Sequence, residues 1–371
     1  MEEKTREIYK ELACHLDKMP IGYPTTDSGV ELRILKRLFT PENAEIALKL
    51  SFIPKPLKKI YRGFKQKGWS IENLESKLDK MYEKGLINYS ETKEGDQYVK
   101  YYANAMLIIG MFEYQLNRLN KDFIEEINQY IEESFMEECN QSGIPQLRTI
   151  PIEQSIDHEL NVASYDVLRE IIENSGDSIA VAECICKKST DILGDPCKKT
   201  DLRKVCFSFR RAAEAYVGRG LAEFISKEDA LNTLRKVEDA GLVIQPGNSL
   251  RPMCICCCCD CCCHVLHNQN KLEKPAQFFA TNFFAEVDSD ICVGCAICKD
   301  RCNMNAISII DNISVVDLNR CIGCGVCIPT CPNEAIKLQK KDNEIIPPKN
   351  TADTYLAIME KKAELARAKK S

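Results

Sequence analysis

CVGCAICKDRC (residues 292–302) and CIGCGVCIPTCP (321–332) are two copies of one pattern, repeated with a period of 29 from Cys292 to Cys321. Each places its cysteines at C-x2-C-x2-C-x3-C. Three thiolates this close can meet one inorganic centre only if the chain curls tightly around it. Gly294 and Gly323, with Gly325 beside the second, permit that curl and let backbone N–H groups point at sulfur. The fourth cysteine of each run cannot easily turn back onto its own three, so it reaches towards the other copy.

This spacing assigns Cys292, Cys295, Cys298 and Cys331 to one 4Fe–4S cluster, and Cys321, Cys324, Cys327 and Cys302 to a second. A pair of zinc sites is the competing reading, but zinc commonly takes its ligands as two pairs rather than as an interlocked run. The stretch from just before Cys292 to just past Pro332 resembles the bacterial two-cluster ferredoxin module. One departure stands out: the first run ends in Cys302-Asn303, where the family pattern has a proline, as at Pro332. Between the runs, 306–310 and 314–316 flank Asp311-Asn312 and read as a short hairpin. Ile297, Ile307 and Val326 would keep water off the sulfurs. The resemblance implies a module that moves single electrons at low potential.

Upstream lies a denser feature, MCICCCCDCCCHVL (253–266), with Cys254, Cys256, Cys257, Cys258, Cys259, Cys261, Cys262 and Cys263. No apolar core calls for such a run. Cys184, Cys186, Cys197 and Cys206 precede it. Neighbouring residues on an extended chain point to opposite sides, so adjacent cysteines cannot all serve one cluster. Cys184-Ile-Cys186, if extended, turns both thiols the same way. These twelve thiols are read as holding at least one further Fe–S centre, of a type the spacing does not give; a zinc site or redox-active thiols are the alternatives. His264 and His267 are read as surface residues, and Cys14 and Cys139 as isolated thiols.

Segment 178–266 together with Ser28–Arg33 resembles a family of cytoplasmic ferredoxin-type proteins of anaerobes. These join a winged-helix-like N-terminal region, a cysteine-rich middle and a two-cluster ferredoxin module. Here the cysteine run is longer than the family's usual one.

The rest of the chain bounds the answer. It has 371 residues, 22 cysteines, four histidines and a formal net charge of −5. The N-terminus lacks an apolar signal segment, and the apolar patch 105–112 is far shorter than the roughly 20 residues that span a bilayer. A soluble, cytoplasmic protein with reduced thiols is expected, which favours metal ligation over disulfides. Helices are expected from Pro41, after Pro54 and Pro56, and from Ser70 to Gly85. Strands 87–92 and 98–102 then complete a winged-helix pattern. Residues 105–140, 165–173 and 226–241 read as helical, and 354–369 as a helix or a frayed tail. The expected architecture is α+β and multidomain. It comprises a winged-helix-like domain (1–139), a mainly α cysteine-rich domain (148–275), a two-cluster ferredoxin-like domain (283–340) and a C-terminal helical tail (341–371).

A winged helix invites a nucleic-acid partner, but the third helix carries Glu72, Glu75, Asp79 and Glu83 against Lys77, Lys80 and Lys84, a net charge of −1. Phosphate recognition needs the opposite sign, so nucleic acid is not expected. Between Pro54 and Trp69 six basic residues stand without an acidic one; they read as a solvated face, or a dock for an acidic partner. The leading function is electron transfer, with a flavoprotein or oxidoreductase subunit as partner. Two rivals are a reductase whose cysteine-rich centre acts on a substrate such as a disulfide, and a redox-sensing winged-helix regulator.

Overall fold

The computed structural model describes residues 2–157 and 159–368, and the chain divides into two compact units that meet in sequence at Cys139/Asn140.

In the first unit, α1 (Glu2–Leu16) packs on α2 (Val30–Leu38) and α3 (Pro41–Ala47). Thr40 Oγ1 accepts from the Asn43 N–H at 3.2 Å and starts α3, as a capping hydroxyl does. The helix expected after Pro54 and Pro56 begins at Leu57 as α4 but ends at Tyr61, short of Phe64, and Lys55–Pro56 before it (β1) join a sheet. Ser70 Oγ accepts from the Asn73 N–H at 3.1 Å and opens α5 (Ile71–Glu83), which buries Leu74, Leu78 and Met81 at helical spacing. The hairpin β2 (Ile87–Glu94) and β3 (Gln97–Asn104) follows, giving sheet order β1-β3-β2. Lys100 on β3 bridges Glu75 at 2.8 Å and Asp79 at 2.9 Å, so part of the acidic face of α5 is spent holding the hairpin.

Residues 105–118 depart from the helix expected there. Ile108, Ile109 and Gly110 have non-helical backbones, and Ala105–Ile108 and Gly110–Phe112 are buried. Regular helix resumes at α6 (Lys121–Tyr130) and α7 (Met136–Asn140). The Glu113 carboxylate accepts from the Gly110 N–H at 2.7 Å. Burial nevertheless pushes this carboxyl up to about 7 from an ordinary 4.5. The folded chain then holds a proton that the unfolded chain has released, so Glu113's contribution to stability is fully present below pH 4.5 and is lost as pH rises to about 7. At ~1.36 kcal/mol per pH unit the loss is at most on the order of 3 kcal/mol. Glu113→Gln should flatten the pH dependence of the urea midpoint read by Trp69 fluorescence. A wild-type midpoint unchanged from about pH 5 to pH 8 would refute this.

The second unit corrects the expectation of a mainly α middle. After α8 (Leu168–Glu173), its centre is a five-stranded antiparallel sheet of order β6-β4-β5-β8-β7. The strands are β4 (Ile179–Glu183), β5 (Lys204–Phe209), β6 (Ala222–Phe224), β7 (Val243–Pro246) and β8 (Cys254–Cys258). Between them run α9 (Ile185–Leu193), α10 (Arg211–Gly218) and α11 (Lys227–Asp239). Ser226 Oγ accepts from the Asp229 N–H at 3.0 Å to start α11, and Gly241 ends it at φ +70°. Beyond β8 lies α12 (His264–Asn270).

The repeat region continues this unit. β9 (Phe283–Val287) pairs antiparallel with a strand 49 residues on, Ile336–Lys340. Between them are α13 (Ile297–Arg301) and the hairpin β10 (Ile307–Ile310) and β11 (Ile313–Val316), so Ile336–Lys340 is β12. Asp311 and Asn312 turn the hairpin with positive φ. The chain ends in α14 (Thr351–Ala368); Lys369 of the expected tail helix lies outside the described residues. Among the described residues no helix is long and apolar enough to cross a membrane.

Candidate metal centres

Each repeat curls around its own space. Cys292, Cys295, Cys298 and Cys331 line a small cavity with Val293, Ile297 and Ile336. Cys302, Cys321, Cys324 and Cys327 line another with Ile307, Ile322 and Val326. Each cavity therefore has three cysteines from one repeat and the fourth from the other. Backbone N–H groups aim at the sulfurs: Ser314 at Cys292 (3.4 Å), Ala335 at Cys331 (3.3 Å), Ala306 at Cys302 (3.3 Å) and Ala285 at Cys321 (3.4 Å). Four sulfurs around an apolar cavity, with N–H donors behind them, fit an iron–sulfur cube.

The two cavities differ in depth. Cys295 is exposed, and Ile291, Val293 and Ile297 around the first cavity are 44 %, 62 % and 44 % exposed. The second is deep. Burial pushes the Cys324 thiol up to about 12 and also raises the Cys327 thiol well above its ordinary value. Hydrogen bonds from the Ser314 and Gly294 N–H groups instead lower the Cys292 thiol. A metal entering the second cavity must displace protons that these thiols hold at neutral pH.

Gly294 and Gly323 sit at φ +66° and +63°. A Cβ on Gly323 would overlap the Phe283 carbonyl, one on Gly294 the Asn312 carbonyl, and one on Gly325 the Ser155 hydroxyl. Asn303, the residue standing in place of proline, is buried and works as a tie. Its Nδ2 donates to the Gly241 carbonyl at 2.8 Å and its Oδ1 accepts from the Asp260 N–H at 3.4 Å. A proline there has no such side chain. Arg301 adds to the join by donating to the Glu238 and Asp239 carbonyls (3.0 and 2.6 Å) at the C-terminus of α11, where a cation is favoured.

The cysteine run sorts itself by strand geometry. Cys256 and Cys258 on β8 pack with Cys263 into an apolar cluster that also takes in Ile322, Cys302, Cys321 and Cys324. Ile255, Cys257 and Cys259 belong to the cluster on the other side. Register places Cys206 opposite Cys256. The remaining thiols influence one another in series, Cys184 with Cys186, Cys186 with Cys263, Cys263 with Cys258, and Cys258 with Cys256, which also feels Cys206 and Cys254. The Cys184–Cys186 pair meets as expected, but not on an extended chain; Cys184 precedes the first turn of α9. Hydrogen bonds from Cys186 and Cys258 drop the Cys263 thiol well below its ordinary value.

On the other side Cys197, Cys259, Cys261 and Cys262 close together, with all four sulfurs within 4.8 Å of one another. The Lys187 ammonium, 1 % exposed, donates to Cys197 at 3.0 Å and to Cys259 at 3.4 Å. Thr190 Oγ1 donates to Cys262 at 3.4 Å. A hydrogen bond from Cys262, helped by the Lys187 charge, holds Cys259 at about 5 in spite of its burial. Cys257 stands apart among aliphatic side chains, and burial keeps it protonated. His264 is buried rather than at the surface, and burial lowers its imidazole to about 4. His267 is exposed, with Nδ1 at 2.8 Å from the Asp260 carbonyl. Cys14 is exposed and Cys139 half-buried. The sequence reading missed Lys187, Thr190 and the role of Asn303. Only Asn303 left a signal, the absent proline.

The sequence pattern of the 4Fe-4S binding domain family matches residues 314–337, which include Cys321, Cys324, Cys327 and Cys331. No curated protein and no solved structure matches the chain. The match supports at least one 4Fe–4S cluster, and with the clustered cysteines it supports an iron–sulfur protein in electron transfer.

Proposed function

We propose that this chain is an electron carrier with two 4Fe–4S clusters on the interlocked repeats and a further iron–sulfur centre on the line of thiols from Cys184 to Cys256. The single observation carrying this is the division of eight cysteines between two cavities, each drawing its fourth from the opposite repeat. When bound, such a cluster takes up and gives back one electron. The chain's part is to hold it dry, to aim N–H groups at its thiolates and so to set its potential. The exposed apolar rim of the first cavity suits a docking oxidoreductase or flavoprotein, and the packing of Cys256, Cys258 and Cys263 against Cys302, Cys321 and Cys324 suits exchange with the thiol line. The first unit is read as a winged helix, with helices α3, α4 and α5, β1 between the first two of them, and the hairpin β2–β3 completing the sheet β1-β3-β2. Its third helix spends Glu75 and Asp79 on the hairpin and offers no basic reading face, so the regulator reading gains no support.

Protein purified without oxygen should hold about eight irons and as many sulfides on the repeats, and more for the third centre. Cys331→Ser should disturb the cluster bound by the first repeat, and Cys302→Ser the cluster bound by the second. Their electron paramagnetic resonance signals after reduction should therefore be complementary. If Cys331→Ser altered the cluster held by Cys321, Cys324 and Cys327 instead, the interlocked assignment would fail.

A further inference from the structure

The quartet Cys197, Cys259, Cys261 and Cys262 differs in kind from the two cavities. Its sulfurs touch: 3.7 Å from Cys197 to Cys259, 3.9 Å from Cys197 to Cys261, 3.5 Å from Cys261 to Cys259 and 3.6 Å from Cys261 to Cys262. A tetrahedral ion with metal–sulfur bonds of about 2.3 Å holds its sulfurs about 3.8 Å apart along each edge. A four-iron cube puts each thiolate on a different iron at a different corner, and its thiolates splay outward. The ferredoxin quartets each line a pocket between the repeats, whereas in this quartet four sulfur pairs stand at the edge length of a single-ion site and all six lie within 4.8 Å.

From this geometry we infer that the four thiols form a closed mononuclear site for one thiophilic ion, zinc or a single iron, separate from any iron–sulfur cluster. The inference rests on reading the middle segment as metal-binding, though not on the third iron–sulfur centre. The charge environment suits it. Four thiolates around a divalent ion carry a net charge of about −2. The buried Lys187 ammonium, touching two of them, offsets half of that, and the Thr190 hydroxyl supports a third. With four protein ligands no coordination position is left for a substrate, so the site is structural. Its place in the chain says what it fixes. Cys197 lies in the loop between α9 and β5, and the other three follow β8 directly. One ion would pin that loop to the end of the cysteine run and hold Cys258 and Cys263 towards the second cavity.

Stoichiometry tests this on the full chain purified without oxygen, because cubes contain iron and sulfide in equal numbers and a single-ion site contains no sulfide. Zinc plus iron should exceed sulfide by about one per chain. X-ray absorption at the edge of the excess metal should show four sulfur neighbours at about 2.3 Å and no second metal. An excess of zinc or an excess of iron would each support the site and name its ion. A Cys261→Ser, Cys262→Ser variant should lose that one metal and keep its sulfide. The inference is overturned if metal and sulfide balance in the wild type, or if the variant loses sulfide along with metal. The iron count of about eight on the repeats is read in the same assay. Failure of the electron-carrier reading is therefore seen separately.

Discussion

Gly323→Ala is expected to cut the iron and sulfide of the repeats from about eight to about four per chain. Two separate penalties meet at this position. The backbone sits at φ +63°, a conformation that an L side chain resists by about 1 kcal/mol. The new Cβ would also overlap the Phe283 carbonyl carbon and oxygen and press on Phe283 Cβ at 3.0 Å. Neither partner can give way. Phe283 is fully buried and paired with Lys340, and the pairing continues residue by residue to Val287 opposite Ile336. The turn must then open, and it is the turn that presents Cys321 and Cys324. Gly68→Ala is the control: φ is +76° there, but nothing lies within 4 Å of the added carbon, so iron and sulfide should stay whole. Gly294→Ala should be milder, because the carbonyl it meets belongs to Asn312, at the tip of a two-residue hairpin turn. Full cluster content in Gly323→Ala would show that the turn is not tied to Phe283 in the way described.

What could be read ahead of the structure followed local chemistry. The helix starts at Ser70 and Ser226 were legible because a capping hydroxyl and the apolar spacing behind it act within one turn. The hairpin at Asp311-Asn312 was legible for the same reason. The two repeats were legible as cysteine sets, and the structure brings the expected four together in each of two pockets. The five-stranded sheet was not. Ile179–Ala182 and Val243–Pro246 are buried at every residue, so these strands show no polar alternation to set them apart from buried helix. β8 hides further, because cysteine packs as a small apolar residue and its pattern was weighed only as ligands. The division of the run into a line and a quartet depends on that strand, so it could not be drawn without it. Lys187 shows the limit most clearly. A lysine following a C-x-C pair reads as a solvated cation, and only the fold carries it against Cys197 and Cys259.

Arg148→Met should destabilise the second unit by about 3–5 kcal/mol, the usual consequence of stranding one partner of a buried ion pair. Arg148 is 3 % exposed and donates to the Gly247 carbonyl at 2.8 Å, to the Ser249 carbonyl at 3.2 Å, to the Tyr165 carbonyl and to Asp166 Oδ1 at 3.4 Å. The other oxygen of Asp166 accepts from Asn282 Nδ2 at 2.9 Å, and Asn282 Oδ1 accepts from the Ile345 N–H at 2.7 Å. One guanidinium thereby joins segments near residues 148, 165, 248, 282 and 345. Burial lowers the Arg148 guanidinium and raises the Asp166 carboxyl, so desolvation outweighs their mutual attraction on both sides. The pair is then no large net stabiliser, and the cost of the variant comes from what it leaves behind: a buried carboxylate and three carbonyls without their donor. Asp166→Asn added to Arg148→Met should recover part of the loss, since it removes the stranded charge yet can still accept from Asn282. Arg148→Lys should not rescue, because an ammonium cannot span the same four acceptors. Because Asn282 adjoins Phe283, whose carbonyl closes on Gly323, the loss should also reach the second cavity. The urea midpoint read by visible absorbance of bound cluster should therefore fall together with the far-ultraviolet midpoint. A midpoint equal to wild type in Arg148→Met would mean that the five segments hold together without this residue.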